Sequence, residues 1–334
     1  ATTGTVTLTG ATGIGSGDAI ETNTAVLVLD SNQSIQIANS TTNLTDLTLT
    51  LDPGSTVDTY SITDGNMTLT LADSGADTDI GGLTLSAGNL NFSLNTDTGA
   101  ITTSGAMNVG TGSFALTNND TGTGSAITLS NTLAAGSLTV NANGQFSDIN
   151  LSAAITITTG AVTLTADDAV NINSGGSITA NGTGNVSLTA NNVTTDGNSF
   201  DVIQMSSGTS IDAGSGTITL TAVGVNASNN TLRQLTTTNS SSSALVINAL
   251  GNVALNDTVS VTGDMSVTSS GNISQTATLT IGGASSFDTS ASTGTITLTQ
   301  ANAFTGAVTL SSGTGAAQLT DSTDTILAAS TLGG

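Results

Sequence analysis

The sequence contains no cysteine, no histidine and no lysine, and Arg233 is its single basic residue. Disulfide bonds and cysteine-based metal sites are therefore excluded, as are nucleophilic triads that require histidine or cysteine. The 23 acidic residues give a formal net charge of −22. Because phosphate groups are neutralised by Lys and Arg, this balance argues against binding to nucleic acids and to anionic membranes.

Other absences concern the fold. There is one proline, Pro53, no tryptophan, and only six phenylalanines in 334 residues. No run of about 18 apolar residues occurs, so the sequence has no candidate transmembrane helix. Threonine, valine and isoleucine are abundant and alternate regularly with one another, which disordered chains do not require. The composition therefore favours an ordered chain rich in short β-strands.

A short motif recurs along the chain, with the pattern Gly-x-apolar-Thr/Ser-apolar-Thr/Ser. The period of two places the apolar side chains on one face of a strand and the hydroxyls on the other. Turn-forming Gly, Asn, Asp and Ser bound each motif. Clear copies occupy residues 4–9, 160–165, 184–189, 216–221, 294–299 and 306–311.

The spacing of the strands predicts the architecture. Val162, Val170, Ile178 and Val186 follow one another at steps of eight residues, so three strands and three turns fill a coil of about 24 residues. We predict an all-β fold, a right-handed parallel β-helix with roughly three short strands per coil, its hand following the rule for parallel crossovers. Residues 1–334 would form a single continuous β-solenoid. The alternative is an array of antiparallel β-sandwich repeats.

Two segments interrupt the rhythm, at residues 10–25 and 223–244, and we expect loop excursions there. Insertions of this kind often carry the function of a solenoid. Arg233 lies in the second segment and is the only cation available to bind an anion, so it is the candidate residue of a binding loop. The alternative is a solvated connecting loop.

A calcium site is the one cofactor site that the sequence suggests. Asp73, Asp77 and Asp79 bring three carboxylates into seven residues of glycine-containing sequence, and Ca²⁺ prefers six to eight hard oxygen ligands. The alternative is a solvated acidic loop. No other cofactor is expected.

Catalysis is not expected. Asp167 and Asp168 superficially resemble the adjacent aspartates of polygalacturonase-like enzymes, but the histidine-containing and basic segments of those enzymes are missing. Neighbouring residues on a strand also point to opposite faces. We therefore predict no catalytic residues, and a polysaccharide-degrading enzyme is the least favoured alternative. The Thr-x-Thr pattern is similar to that of ice-binding β-helices, although β-propensity explains it as well.

Over its whole length the chain resembles large bacterial surface proteins, namely filamentous-haemagglutinin-like, autotransporter-passenger-like and β-strand-repeat adhesins. The resemblance rests on the Gly-x-Val-Thr-Leu-Thr copies given above. It implies a secreted, extracellular or cell-surface rod that serves in adhesion or in a filament. The expected partners are further copies stacked end to end, or cell-surface and matrix glycans. The alternative is an ice-binding or carbohydrate-binding solenoid.

Overall fold

The computed structural model describes the backbone of residues 99–333, apart from residues 121–124, 145, 191–200 and 224–228. Before residue 99 it describes the strands given below and Ile14. Side chains are described from Leu90 onward within these ranges and, earlier in the chain, only at residues 6–10, 14 and 20. No helix occurs in this part of the chain, so none is present there that could span a membrane.

The described residues form 39 strands, numbered along the chain. The first thirteen are β1 (Thr2–Gly10), β2 (Ile20–Thr22), β3 (Thr24–Ser31), β4 (Ile37–Asn39), β5 (Asp46–Leu51), β6 (Thr56–Val57), β7 (Tyr60–Ile62), β8 (Asn66–Asp73), β9 (Thr78–Ile80), β10 (Leu83–Leu85), β11 (Asn89–Thr96), β12 (Ile101–Thr103) and β13 (Met107–Asn108). The next thirteen are β14 (Ser113–Asn118), β15 (Ile127–Leu129), β16 (Leu133–Ala135), β17 (Ser137–Ala142), β18 (Ile149–Leu151), β19 (Ala154–Ile157), β20 (Val162–Ala166), β21 (Ala169–Ile172), β22 (Ser177–Ala180), β23 (Val186–Ala190), β24 (Val202–Met205), β25 (Ser210–Asp212) and β26 (Ile218–Ala222). The last thirteen are β27 (Asn230–Leu232), β28 (Gln234–Thr237), β29 (Leu245–Ala249), β30 (Val253–Leu255), β31 (Val259–Val261), β32 (Met265–Ser269), β33 (Ile273–Gln275), β34 (Leu279–Ile281), β35 (Ser285–Thr289), β36 (Ile296–Phe304), β37 (Val308–Ser312), β38 (Ala317–Asp321) and β39 (Thr331–Leu332).

The strands stack into a β-solenoid with three faces. Face 1 is a sheet of fifteen strands in the order β1-β3-β5-β8-β11-β14-β17-β20-β23-β26-β29-β32-β35-β37-β39. Shorter strands form faces 2 and 3, and β36 pairs with strands of both. The pairings between the described strands are parallel, as between β20 and β23. This confirms the predicted parallel solenoid and is incompatible with the antiparallel sandwich array.

The coil length follows the predicted step in the middle of the chain. β20, β21 and β22 place Val162, Val170 and Ile178 on faces 1, 2 and 3, and Val186 returns to face 1 in β23. Equivalent residues of neighbouring coils are 24 residues apart at Asn119 and Asn143. Among the described strands the separation ranges from 17 residues, between Ile20 and Ile37, to 33 residues, between Ala169 and Val202, because the turns differ in length.

The interior consists of columns of equivalent side chains, one from each coil. On face 1 the middle inward position is apolar from coil to coil and nearly inaccessible to solvent. Leucine, valine and isoleucine fill most of this column, and Phe92 and Phe114 stack in the column beside it with ring centroids 4.8 Å apart. Stacking like on like excludes water from a narrow core and supplies most of the stabilisation. The middle column contains Leu94, Leu116, Val140, Leu164, Leu188, Leu220, Ile247, Val267, Phe287 and Leu310.

The glycine that opens each motif has a structural reason. A Cβ atom on Gly184 would lie 1.9 Å from the carbonyl oxygen of Gly160, and one on Gly216 would lie 2.0 Å from that of Gly184. The coils that contain β20, β23 and β26 approach each other so closely at this corner that a side chain on either glycine would collide with backbone. In the next coil Ser243 takes the equivalent position, so the stack of glycines is a local feature of these coils.

The two predicted loop excursions fall partly outside the described residues. In the first, β2 and Ile14 are described, and β2 pairs with β4. In the second, residues 229–244 are described and include β27 and β28, which pair in parallel with strands of the neighbouring coils. Residues 224–228 lie outside the described part, and the loops themselves stay predictions.

Candidate functional site

Arg233 lies at the corner between faces 2 and 3, between β27 and β28, with its side chain half-buried. Its Nε donates a hydrogen bond to the carbonyl oxygen of Met205 at 3.2 Å, and Nη1 donates to that of Asn256 at 3.4 Å. These acceptors belong to the preceding and the following coil. The guanidinium thus joins three coils, and two of its donors are used within the protein. A role in ligand binding stays a prediction.

Two of the three predicted calcium ligands lie on described strands, one on face 1 and one on face 2. Asp73 ends β8 and Asp79 is the middle residue of β9, while Asp77 lies outside the described residues. The side chains of Asp73 and Asp79 are not among those described. Elsewhere in the described residues no three acidic groups come together in a way that could hold a metal ion. The calcium site therefore stays a prediction.

A second group of acids lies further along the chain, directly before two neighbouring strands of face 2, β21 and β24. Asp168 and Asp201 are 5% and 1% exposed and directly precede the paired residues Ala169 and Val202, and each has an interaction partner in the protein. Asp148 accepts a hydrogen bond from the backbone N–H of Ala169 at 3.0 Å. Burial raises the pKa of Asp148, and this hydrogen bond offsets the increase only in part.

The two adjacent aspartates considered for catalysis differ in environment. Asp168 is buried, whereas Asp167 is half-buried and donates its backbone N–H to the carbonyl oxygen of Ala142. The Oγ atom of Ser147 is buried without a hydrogen-bond partner. The Asp168 N–H donates to the Ser147 carbonyl oxygen at 3.2 Å, which fixes the two coils to each other.

The outward surface of face 1 is the most regular surface of the described chain. Its five-residue strands present two outward side chains and its six-residue strands three, whereas the three-residue strands that predominate on faces 2 and 3 present one. We call eight of these outward residues, on β17, β20, β23 and β26, the hydroxyl strip. They are Thr139, Asn141, Thr163, Thr165, Ser187, Thr189, Thr219 and Thr221.

The polar groups of the hydroxyl strip are available to a ligand. The six hydroxyls on β20, β23 and β26 have no hydrogen-bond partner within the described residues. Neighbouring coils are about 4.8 Å apart, and alternate residues along a strand are about 6.6 Å apart. Within the described part of the chain, the strip is therefore a regular array of hydroxyls that have no hydrogen-bond partner in the protein.

The hydroxyl strip also lies within an uncharged surface. From β11 to β32 both outward columns of face 1 contain only Thr, Ser, Asn, Ala and Val. Eight strands at about 4.8 Å make this surface about 34 Å long. Directly after this surface, a charged residue enters one of the two columns, since Asp288 in β35 pairs with Thr268 in β32. The sequence alone shows threonine on most strands but does not assign each threonine to a face, because that assignment requires the register of every coil.

The coil nearest the C-terminus exposes apolar side chains. Ile326 and Leu327 are each 57% exposed, and Leu332 is 51% exposed. Leu327 forms an isolated parallel bridge with Val308, and β39 pairs with β37 over two residues. Carboxylate Asp321 orders this coil by accepting hydrogen bonds from Thr323 and from Thr325. Burial acts to raise the pKa of Asp321, but these hydrogen bonds outweigh it and the pKa is lowered.

Comparison with known proteins adds one similarity. Residues 242–311 match a family described as repeats of unknown function (DUF5649), a segment that runs from just before β29 into β37. No curated protein and no solved structure matches the chain. Roughly three coils of this solenoid are thus similar to a family of repeats, which agrees with the repeating coils seen in the structure.

Proposed function

We propose that this protein is a non-catalytic structural rod of an extracellular, adhesive fibre. The observation that carries the proposal is the unbroken ladder of face 1, in which fifteen parallel strands pair one after another from β1 to β39. A ladder of this kind makes a stiff element whose length grows with the number of coils. The resemblance to bacterial surface adhesins supports a location outside the cell.

The residue inventory supports a non-catalytic role. The chain lacks His, Cys and Lys, which serve as the commonest bases and nucleophiles. The guanidinium of Arg233 is bonded to backbone carbonyls of two neighbouring coils. A guanidinium held in this way is poorly placed to act as the base of a lytic reaction.

For assembly, we propose end-to-end stacking with a second copy of the chain. Ile326, Leu327 and Leu332 expose apolar surface on the last described coil. A coil of a second copy stacked on it would bury these side chains and continue the parallel pairing seen between neighbouring coils. Glycans at a cell surface or in a matrix are the proposed partners along the sides of the rod, and calcium bound by Asp73, Asp77 and Asp79 is the proposed ion.

Negative-stain electron microscopy of the purified chain tests this assembly. We expect narrow filaments of constant width that become shorter in Leu327→Asp, because a buried unpaired carboxylate would oppose stacking. The matched control is Leu250→Asp, since Leu250 is 45% exposed beside β29 rather than at the end. Isolated rods of single-chain length at high protein concentration, with or without Ca²⁺, would contradict end-to-end stacking.

A further inference from the structure

We propose that the hydroxyl strip on face 1 is a binding surface for an extended, neutral, β-1,4-linked polysaccharide. The inference rests on the proposed adhesive function and names the surface and the partner of that adhesion. It assigns the contact to outward residues of β17, β20, β23 and β26, and not to the corner at Arg233.

Charge is the first argument. The chain carries −22, yet both outward columns of face 1 hold no charged residue from β11 to β32. The nearest described acids border this surface: Asp167 directly follows β20 and Asp264 directly precedes β32, while Asp212 lies on face 3. Acidic glycans would be repelled by the rod as a whole. A neutral partner meets no such opposition and contacts a surface without charges to desolvate.

The chemistry of the strip is the second argument. Thr163, Thr165, Ser187, Thr189, Thr219 and Thr221 present hydroxyls without hydrogen-bond partners in the described part of the protein. A hydroxyl both donates and accepts, which matches the hydroxyls of a sugar chain. The five threonine side chains are also β-branched and stiff, so they lose little rotamer freedom when they bind.

Geometry is the third argument. The step between coils, about 4.8 Å, is close to the length of one β-1,4-linked hexose unit. Because successive units of a β-1,4-linked chain are turned over by half a revolution, a ribbon-like chain lying along the rod axis would present the same edge to equivalent hydroxyls at every second coil. Many weak contacts of the same kind then add up along one ligand.

A second copy of the chain is a poorer occupant of this surface. Two rods packed side by side would bring two charges of −22 into proximity along their whole length, and this repulsion opposes association. The strip also offers no exposed apolar cluster of the kind that anchors a protein interface. The observations thus favour the neutral polysaccharide.

The test is a sedimentation binding assay of the full chain on microcrystalline cellulose, with sodium polygalacturonate as the acidic comparison. The strip variant carries Thr165→Val, Thr189→Val and Thr221→Val, which keep the side-chain shape and the β-propensity. The matched control carries Thr156→Val, Thr179→Val and Thr236→Val, outward residues of face 3. Circular dichroism and melting curves verify that both variants fold as the wild type does.

We expect the wild type and the control to bind cellulose equally and with little dependence on salt, since no ionic contact is involved. The strip variant should bind at least tenfold more weakly, as the loss of three ordinary hydrogen bonds implies. Equal binding by strip variant and control, absence of binding to cellulose, or preferential binding to polygalacturonate would each overturn the proposal.

Two further measurements distinguish other occupants. Sedimentation velocity that shows a lateral dimer abolished in the strip variant would assign the strip to a second copy. Thermal hysteresis abolished in the same variant would assign it to ice, and either result would overturn the polysaccharide proposal. Electron microscopy of the same samples tests the structural rod separately from its ligand. Filaments without cellulose binding would overturn the polysaccharide proposal but not the proposed structural role.

Discussion

Replacing Gly184 with alanine tests whether the close approach of neighbouring coils dictates the glycine of the repeat. The added Cβ atom would lie 1.9 Å from the carbonyl oxygen of Gly160, well inside van der Waals contact. The obstructing atom is backbone, so the two coils must separate locally. The conflict lies between β20 and β23, in the middle of the described ladder.

The magnitude follows from two contributions. Overpacking of a close-packed region costs about 1–3 kcal/mol. Separating the coils also weakens the adjoining backbone hydrogen bonds, including that from the Val162 N–H to the Asn185 carbonyl oxygen at 2.8 Å. Two such bonds add about 2 kcal/mol, so we expect Gly184→Ala to destabilise the surrounding coils by about 3–5 kcal/mol.

Hydrogen–deuterium exchange combined with urea titration measures this effect coil by coil, because stability in a solenoid is largely local. The control is Gly208→Ala. Gly208 has a φ of 81° but no atom within 4 Å of an added Cβ, so its cost is limited to the left-handed conformation, about 1–2 kcal/mol. The reasoning would be refuted if Gly184→Ala changed stability by no more than Gly208→Ala and left exchange in β20 and β23 unchanged.

Three further predictions concern the core, the lone arginine and one half-buried acid, Asp148. Leu188→Ala should lower the free energy of unfolding, measured in urea, by about 2–5 kcal/mol because it leaves a cavity in the middle column. The outward substitution Thr189→Ala should change it by no more than about 0.5 kcal/mol. Similar losses of stability in the two variants would show that the column does not carry the stability. Arg233→Met removes two hydrogen bonds that join coils, so hydrogen exchange should accelerate in β27 and β28 and not in β20; uniform protection would contradict that role. Because the pKa of Asp148 is raised in the folded chain, its contribution to stability should increase as the pH falls through that raised pKa. The urea midpoints of the wild type and of Asp148→Asn should therefore differ at neutral pH, where the variant is more stable, and converge in mild acid. A difference in midpoint that does not change with pH would exclude this titration.

The fold could be predicted where the spacing of the repeat is constant. Val162, Val170, Ile178 and Val186 lie on the three faces and back on the first because equal steps produce equal coils. The next coil adds residues, so Thr217 stacks on Asn185 from 32 residues away. Such turn lengths depend on backbone geometry at the corners, which alternation of apolar residues does not encode.

The site could be predicted much less well. The hydroxyl strip needs the register of four coils before Thr163, Thr165 and their equivalents can be placed side by side. Arg233 was identified because it is the only cation, but its acceptors at Met205 and Asn256 are 28 and 23 residues away in sequence. Contacts between coils at such distances leave no local pattern. The calcium ligands Asp73, Asp77 and Asp79 stay a prediction from composition and spacing alone.

The columns of like residues also make the coil an interchangeable unit. Removing residues 162–185 would join Ala161 to Val186 and place Leu188 on Val140 and Ala190 on Ala142, in the positions that Leu164 and Ala166 occupy now. On face 1 each lost contact would thus be replaced by one of the same kind. A gene encoding such a chain can therefore change the length of its product by whole coils, through duplication or deletion, without having to invent a new core.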